Sequence, residues 1–208
     1  MKHFRTFIYP SGKYHIGYTK YVGWSFFSNI IVSIEGVLST HSMLSAISIN
    51  DSEAVRTANY IGKDIIGQIG SLAYMSKMGQ SVDKESKKFF VYSNIIQQTS
   101  YITTCMTPFF PSHFLWIAGG ANIATNISFT GFGAINAKCI QKLAQDNNVG
   151  EIYSKISVIN TIGSSLGMIL GIKISAIVPD QETRVLLVPI LGLLRTYTYH
   201  KAIEDILD

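Results

Sequence analysis

Residues 89–137 read FFVYSNIIQQTSYITTCMTPFFPSHFLWIAGGANIATNISFTGFGAINA and contain no Asp, Glu, Lys or Arg. Pro108 and Pro111 divide the stretch into runs at 89–112 and 113–137. At 1.5 Å of rise per residue, each run is long enough to cross a hydrocarbon core of about 30 Å. A helix in water keeps a charged outer face, and neither run has one. Their polar residues are Ser, Thr, Asn and Gln, which a helix packed against others in lipid tolerates.

Working outward, residues 21–49 carry only Glu35 and residues 156–179 carry only Lys173. These four runs are expected to span a membrane. Two weaker segments, 52–76 and 185–203, complete a pattern of about six helices. The sequence therefore predicts an all-α, multi-pass helical membrane bundle. Residues 1–20 form an N-terminal cytosolic segment and residues 21–205 a single helical membrane domain.

Composition agrees with that reading. Charged residues are 14% of the 208, against about 25% in an average soluble chain. Hydrophobic residues reach 47%, which excludes a disordered chain or a charge-rich coiled coil. The net charge is +4 and the basic residues do not gather into one patch along the chain, so no nucleic-acid partner is expected. The start, MKHFRTFIYPSGKY, lacks the apolar stretch and cleavage site of a secretory signal.

The loops supply a separate test. With six spans, Lys13, Lys20, Lys77, Lys84, Lys87, Lys88, Lys138, Lys142, Lys155, Arg195 and Lys201 fall on the side of the termini. The opposite turns hold Arg56 and Arg184, beside Asp51, Glu53, Asp180 and Glu182. The positive-inside rule then puts both termini in the cytosol. Cys105 and Cys139 fall at opposite ends of their helices and are expected as free thiols. The sequon at Asn50 lies in an outer turn, as a minor candidate for glycosylation.

Gly163, Gly167 and Gly171 recur every four residues and mark a face where another helix approaches closely; Gly120, Ala124 and Ser128 repeat the spacing. Ionisable residues inside spans are the better functional signal, since a charge at mid-depth costs about 2.5–3.5 kcal/mol on insertion scales. The candidates are Glu35, Asp64 and Lys173, with Lys63 beside them. A Glu35–Lys173 or Asp64–Lys173 pair would lower that cost, and Gly36, Gly67 and Gly70 would allow close approach around it. No catalytic constellation, metal-ligand spacing or cofactor motif is read: the five histidines are scattered and the Gly131-Phe132-Gly133 fragment follows no strand.

The order of segments resembles one family, the root UVB sensitive proteins. YPSGKYHIGYTKYVGWSFFSNIIVSIEGVLSTHSMLSAISI is similar to that family's Tyr-Pro entry, aromatic helix and Gly-x-Leu-x-Thr step, here Gly36, Leu38 and Thr40. GKDIIGQIGSLAY is similar to its Asp followed by glycines, giving Gly62, Asp64, Gly67 and Gly70. DKESKKFF, with Asp83 and Lys87, resembles its entry to the third helix; FFPSHFLWIAGGANIA and LGMILGI resemble later paired stretches. The tail RTYTYHKAIEDIL keeps Tyr197 and Ala202.

The resemblance covers about residues 9–205 and carries departures. Where the family has acids in the third helix, this chain has Asn94, Gln97 and Gln98. A Lys-x-Gly-Ser-Gln-Glu-Thr stretch survives as Lys155 and Thr161, with Ile159 and Asn160 in place of Gln and Glu. The soluble region that commonly follows the family's core is not expected after Asp208. The family's plant members are linked to plastids, ultraviolet-B responses and vitamin B6 balance, and no biochemical activity is assigned to it. With Glu35, Asp64 and Lys173 as buried charges at a helix junction, the leading expectation is a non-enzymatic membrane protein of this family that moves or scaffolds a small solute. Its partners would be the lipid bilayer and a protein partner or second copy. The rival expectation is a helical interaction module that docks a protein, with an apolar groove in place of a polar cavity.

Overall fold

A computed structural model describes residues 8–47, 51–178 and 180–207, without the side chains of 79–81. Asn50 lies outside the described residues. The fold is all-α. Among the described residues six long α-helices follow in order: α1 Tyr18–Ala46, α2 Glu53–Lys84, α3 Ser86–Cys105, α4 Phe114–Leu143, α5 Val149–Ile177 and α6 Gln181–Ile203. Two 3-10 turns, Thr107–Phe109 and Pro111–His113, join α3 to α4. Pro108 and Pro111 supply the break, because proline has no N–H to continue a helical ladder. α6 opens on Asp180, whose carboxylate accepts from the Thr183 N–H at 2.9 Å. The Thr183 hydroxyl and then this N–H hold the Asp180 carboxyl below its usual range.

Among the described residues, two helices are long and apolar enough to cross a membrane, α1 and α5. The runs at 89–112 and 113–137, expected as spans, become α3 and α4 and fall short of that mark. The reason is that a run without charge is not thereby apolar. Ser93, Asn94, Gln97 and Ser100 on α3, and Ser128 on α4, are buried polar residues. Apolar side chains meanwhile face outward: Ile65, Ile69 and Leu72 on α2, Ile169, Ile172 and Ile177 on α5, and Leu186, Ile190 and Leu193 on α6 are exposed.

The six helices form two interlocked groups. α1 packs chiefly on α5 and α6, α4 packs chiefly on α2 and α3, and α3 meets α6 where the groups join. Exchanging α1 with α4, α2 with α5 and α3 with α6 converts one group into the other. The starts Tyr18 and Phe114, Glu53 and Val149, and Ser86 and Gln181 are separated by 96, 96 and 95 positions. Lengths correspond at 29 and 30, 32 and 29, and 20 and 23 residues. α1 and α4 run antiparallel, for the end of α1 (Met43, Ala46) packs on the start of α4 (Phe114, Ala118). Residues 18–105 and 114–203 are thus two three-helix repeats of inverted direction.

Glycines hold each group together, as sequence spacing predicts for α5. A Cβ on Gly163 would lie 2.9 Å from the Phe26 carbonyl oxygen, and one on Gly171 would lie 2.8 Å from Val37 Cβ. Between them, a Cβ on Gly167 would strike the Ile30 carbonyl oxygen. The matching helix does the same to α4: a Cβ on Gly67 would lie 2.6 Å from Asn122 Nδ2, and one on Gly70 would strike Ile123. Gly36, by contrast, has open space around it and is no point of close approach. Gly120 is likewise open, and its neighbour Gly119 packs instead, on Ile66.

Basic residues spread along the sequence converge at one end of the bundle, contrary to the reading that they form no patch. Lys84, Lys87, Lys88, Lys138 and Lys142 surround a depression there. The N-terminal segment docks at this end, where Tyr14 bridges Ala144 and Ser11 donates to Glu151. Lys20 meets Glu204 at 2.5 Å and Asp205 at 2.8 Å, and Lys201 meets Glu204 at 2.9 Å. Cys105 and Cys139 are buried and free.

The Lys20 and Lys201 ammoniums hold the Glu204 carboxyl down to about 2. A carboxyl whose folded value is depressed stabilises the fold above its unfolded value, about 4.3, and loses that contribution as pH falls toward the folded one. Glu204→Gln is therefore expected to lower the unfolding midpoint at pH 6 and to flatten its fall between about pH 5 and 2. Thermal unfolding of the detergent-solubilised chain across that range measures it. Parallel acid limbs in the two proteins would refute the assignment.

Candidate functional site

Glu35 sits at mid-length of α1 and is fully buried. Neither carboxylate oxygen has a hydrogen-bond partner among the described residues. Its polar neighbours are the Gln98 amide of α3 and the Arg195 guanidinium of α6. Arg195 is only 4% exposed, and its Nε and Nη1 also have no partner. Its guanidinium lies 4.7 Å over the Phe132 ring, a cation–π contact. Gln97 donates to the Tyr101 hydroxyl at 3.1 Å, while the amide of Gln98 packs against Gly192 of α6.

The other expected charges fall elsewhere. Asp64 is half-buried and meets its neighbour Lys63 at 2.6 Å, with Asn122 donating to the same oxygen at 2.8 Å. Lys173 is exposed, so neither the Glu35–Lys173 nor the Asp64–Lys173 pair forms. Two residues beyond Gly171, it is turned about 200° from the glycine face that packs on α1. Arg195, counted in the sequence as a loop cation, is the buried counter-charge instead.

Two small chambers, each with polar side chains set in largely apolar walls, lie in the seam between α1 and α4. The one toward the lysine-rich end has a volume of about 220 Å³ and is lined by Tyr21, Ser25, Ser28 and Asn29 of α1, Asn136 of α4, Asn160 of α5 and Arg195 of α6. The other, about 250 Å³, is lined by Ser39 and Thr40 of α1, Lys63 of α2, Tyr101 and Thr104 of α3, and Asn122 and Thr125 of α4. Phe129 borders both. The repeat exchanges them: Asn29 and Thr125, and Thr40 and Asn136, are each 96 positions apart and line opposite chambers.

Outside this seam, an apolar groove of about 710 Å³ runs between α1 and α5, lined by Val37, Leu44, Met168 and Ile172. Gly36 faces both it and the second chamber. Near it Ser175 and the His41 Nδ1 are 2.5 Å apart. Among the described residues, no group of three His, Cys, Asp or Glu side chains is placed to hold a metal.

Comparison with known proteins adds the following. A family model described as a vitamin B6 photo-protection and homoeostasis domain matches residues 8–207. The chain is similar to protein root UVB sensitive 4 of Arabidopsis thaliana, at 29% identity over 74% of this chain and 30% of the relative. Protein root UVB sensitive 2, chloroplastic, of the same plant is 26% identical over 91% of this chain and 43% of its own length. RUS family member 1 of Dictyostelium discoideum is 26% identical over 79% and 33%. The chain thus spans about a third of the length of the curated relatives it matches. No solved structure matches.

Proposed function

The chain belongs to the root UVB sensitive family, and on that footing we propose that it is a multi-pass helical membrane protein that moves or scaffolds a small solute without enzymatic chemistry. The observation that carries the reading is the pair of repeat-related chambers, each bearing polar side chains, on the α1–α4 seam. Inverted repeats with a polar site at their interface are the architecture of alternating access, in which one group rocks against the other. Apolar side chains facing outward over α2, α5 and α6, with Glu35, Gln97 and Arg195 facing inward, support placement in lipid. All six helices would cross the bilayer, with both termini and the lysine-rich end in the cytosol.

The matching family description names vitamin B6. Its vitamers are small substituted pyridines, the size of solute a chamber of about 220 Å³ admits. The partners on this reading are the bilayer and a protein or second copy. The groove between α1 and α5 favours a second reading, a module that docks another protein. In a bilayer the same groove takes an acyl chain.

Alkaline extraction of membranes bearing a C-terminally tagged chain, then protease treatment of sealed vesicles, tests placement. Retention with the tag on the cytosolic side is expected. Release into the soluble fraction would favour the docking module. Uptake of radiolabelled pyridoxine and its phosphate into proteoliposomes then tests movement, and empty-vesicle levels for both would remove the carrier assignment.

A further inference from the structure

We propose that the chamber at the lysine-rich end binds a small flat-ringed organic anion, a carboxylate or phosphate ester, whose charge is taken by Arg195. The inference deepens the solute reading above by naming the class of solute. Arg195 borders the chamber, is 4% exposed, and leaves Nε and Nη1 without a hydrogen-bond partner. A guanidinium keeps its proton in proteins, so it cannot escape burial by becoming neutral as a lysine can. Glu35 does not satisfy it directly, because both of its own oxygens are unpartnered too. An oxyanion in the chamber supplies a charged acceptor for the planar guanidinium fork.

The chamber's other walls define the body of the ligand. Asn160 Oδ1 is buried without a partner. Asn136 Oδ1 accepts from the Tyr21 hydroxyl at 2.5 Å, which leaves its amide donors for another group. Phe132 and Tyr199 line the same space, with Arg195 already stacked on Phe132. At about 30 Å³ per water, 220 Å³ is the space of about seven waters, enough for one ring bearing one oxyanion. A cation is refused by the guanidinium, and a long apolar chain by the amides.

The test uses the full chain in detergent, with phenyl phosphate and benzoate as anionic probes and benzyl alcohol as the neutral one. Calorimetric titration is expected to show binding of both anions and none of the alcohol. Arg195→Lys, which keeps the charge and loses the fork, should weaken both by about tenfold. Asn136→Ala, which removes the free amide donors, should weaken them several-fold while keeping every charge. Equal binding of benzyl alcohol, or unchanged anion binding in both variants, would overturn the proposal. Anion binding without uptake of pyridoxine or pyridoxine phosphate would leave the site standing and remove the carrier reading. Uptake in a chain that binds neither anion would do the reverse.

Discussion

Gly167→Val is expected to abolish accumulation of folded protein. The three α5 glycines lie against the α1 backbone, and at Gly167 an added Cβ meets the Ile30 carbonyl oxygen and the Ile30 Cα, atoms that no rotamer change can move aside. α1 would have to separate from α5 along a contact that also seats Gly163 on Phe26 and Gly171 on Val37. Overpacking costs about 1–3 kcal/mol where side chains can adjust. Here the backbone must shift, and a fold of about 5–15 kcal/mol in total has little margin for it. Gly36→Ala is the matched control: nothing lies within 4 Å of its Cβ, so the change should raise helix stability by about 0.5–1 kcal/mol. Size-exclusion profiles of tagged protein, with unfolding midpoints for whatever elutes as a single species, read both. A monodisperse Gly167→Val protein with an unchanged midpoint would show that α1 and α5 are not held by this stripe.

The glycine stripe was legible in sequence because a four-residue period puts three glycines on one helical face and names the consequence. The six helices were legible for a related reason: charge collects in the loops, so its absence outlines the elements. Which of them are apolar enough to cross a membrane is harder to read. α3 and α4 carry amides and hydroxyls that point inward, and charge counting gives those the same weight as leucine. Glu35 could be singled out because it is the one charge in its run, whereas its counter-charge could not. Arg195 falls inside the weaker segment at 185–203 but counts there among the terminal-side cations, and its burial shows only once α6 packs into the bundle. Lys173 fails by the converse error, since a lone charge in an apolar run was taken as buried although its angular offset from Gly171 turns it outward. The inverted repeat leaves almost no trace in residue identity. Its signature is the 96-residue spacing of helix starts and the recurrence of glycines on α2 and α5, and both acquire meaning only from packing.

Glu35→Gln and Arg195→Met are expected to couple, and the size of that coupling decides what the centre of the bundle is. Both side chains are buried without direct partners, each the nearer opposite charge to the other. Removing one leaves the other uncompensated, which in buried pairs costs about 3–5 kcal/mol. Glu35→Gln should be the more damaging, because arginine cannot shed its proton while a carboxylate left alone can take one up. The double variant keeps neither charge, so its loss should fall short of the sum by about 0.5–3 kcal/mol. Two controls fix the scale. Lys173→Met removes an exposed charge and should stay within about 0.5 kcal/mol. Asp64→Asn breaks a half-exposed pair with Lys63 and should cost about 1 kcal/mol or less. Unfolding midpoints of the unsubstituted chain and the five variants under one condition give the cycle. Additive losses would mean that the two charges do not sense each other, and the seam between the repeats would then lack an electrostatic centre. A coupled pair with no direct hydrogen bond between its members leaves Arg195 free to exchange one counter-charge for another, which is the property a site must have to bind an anion and release it.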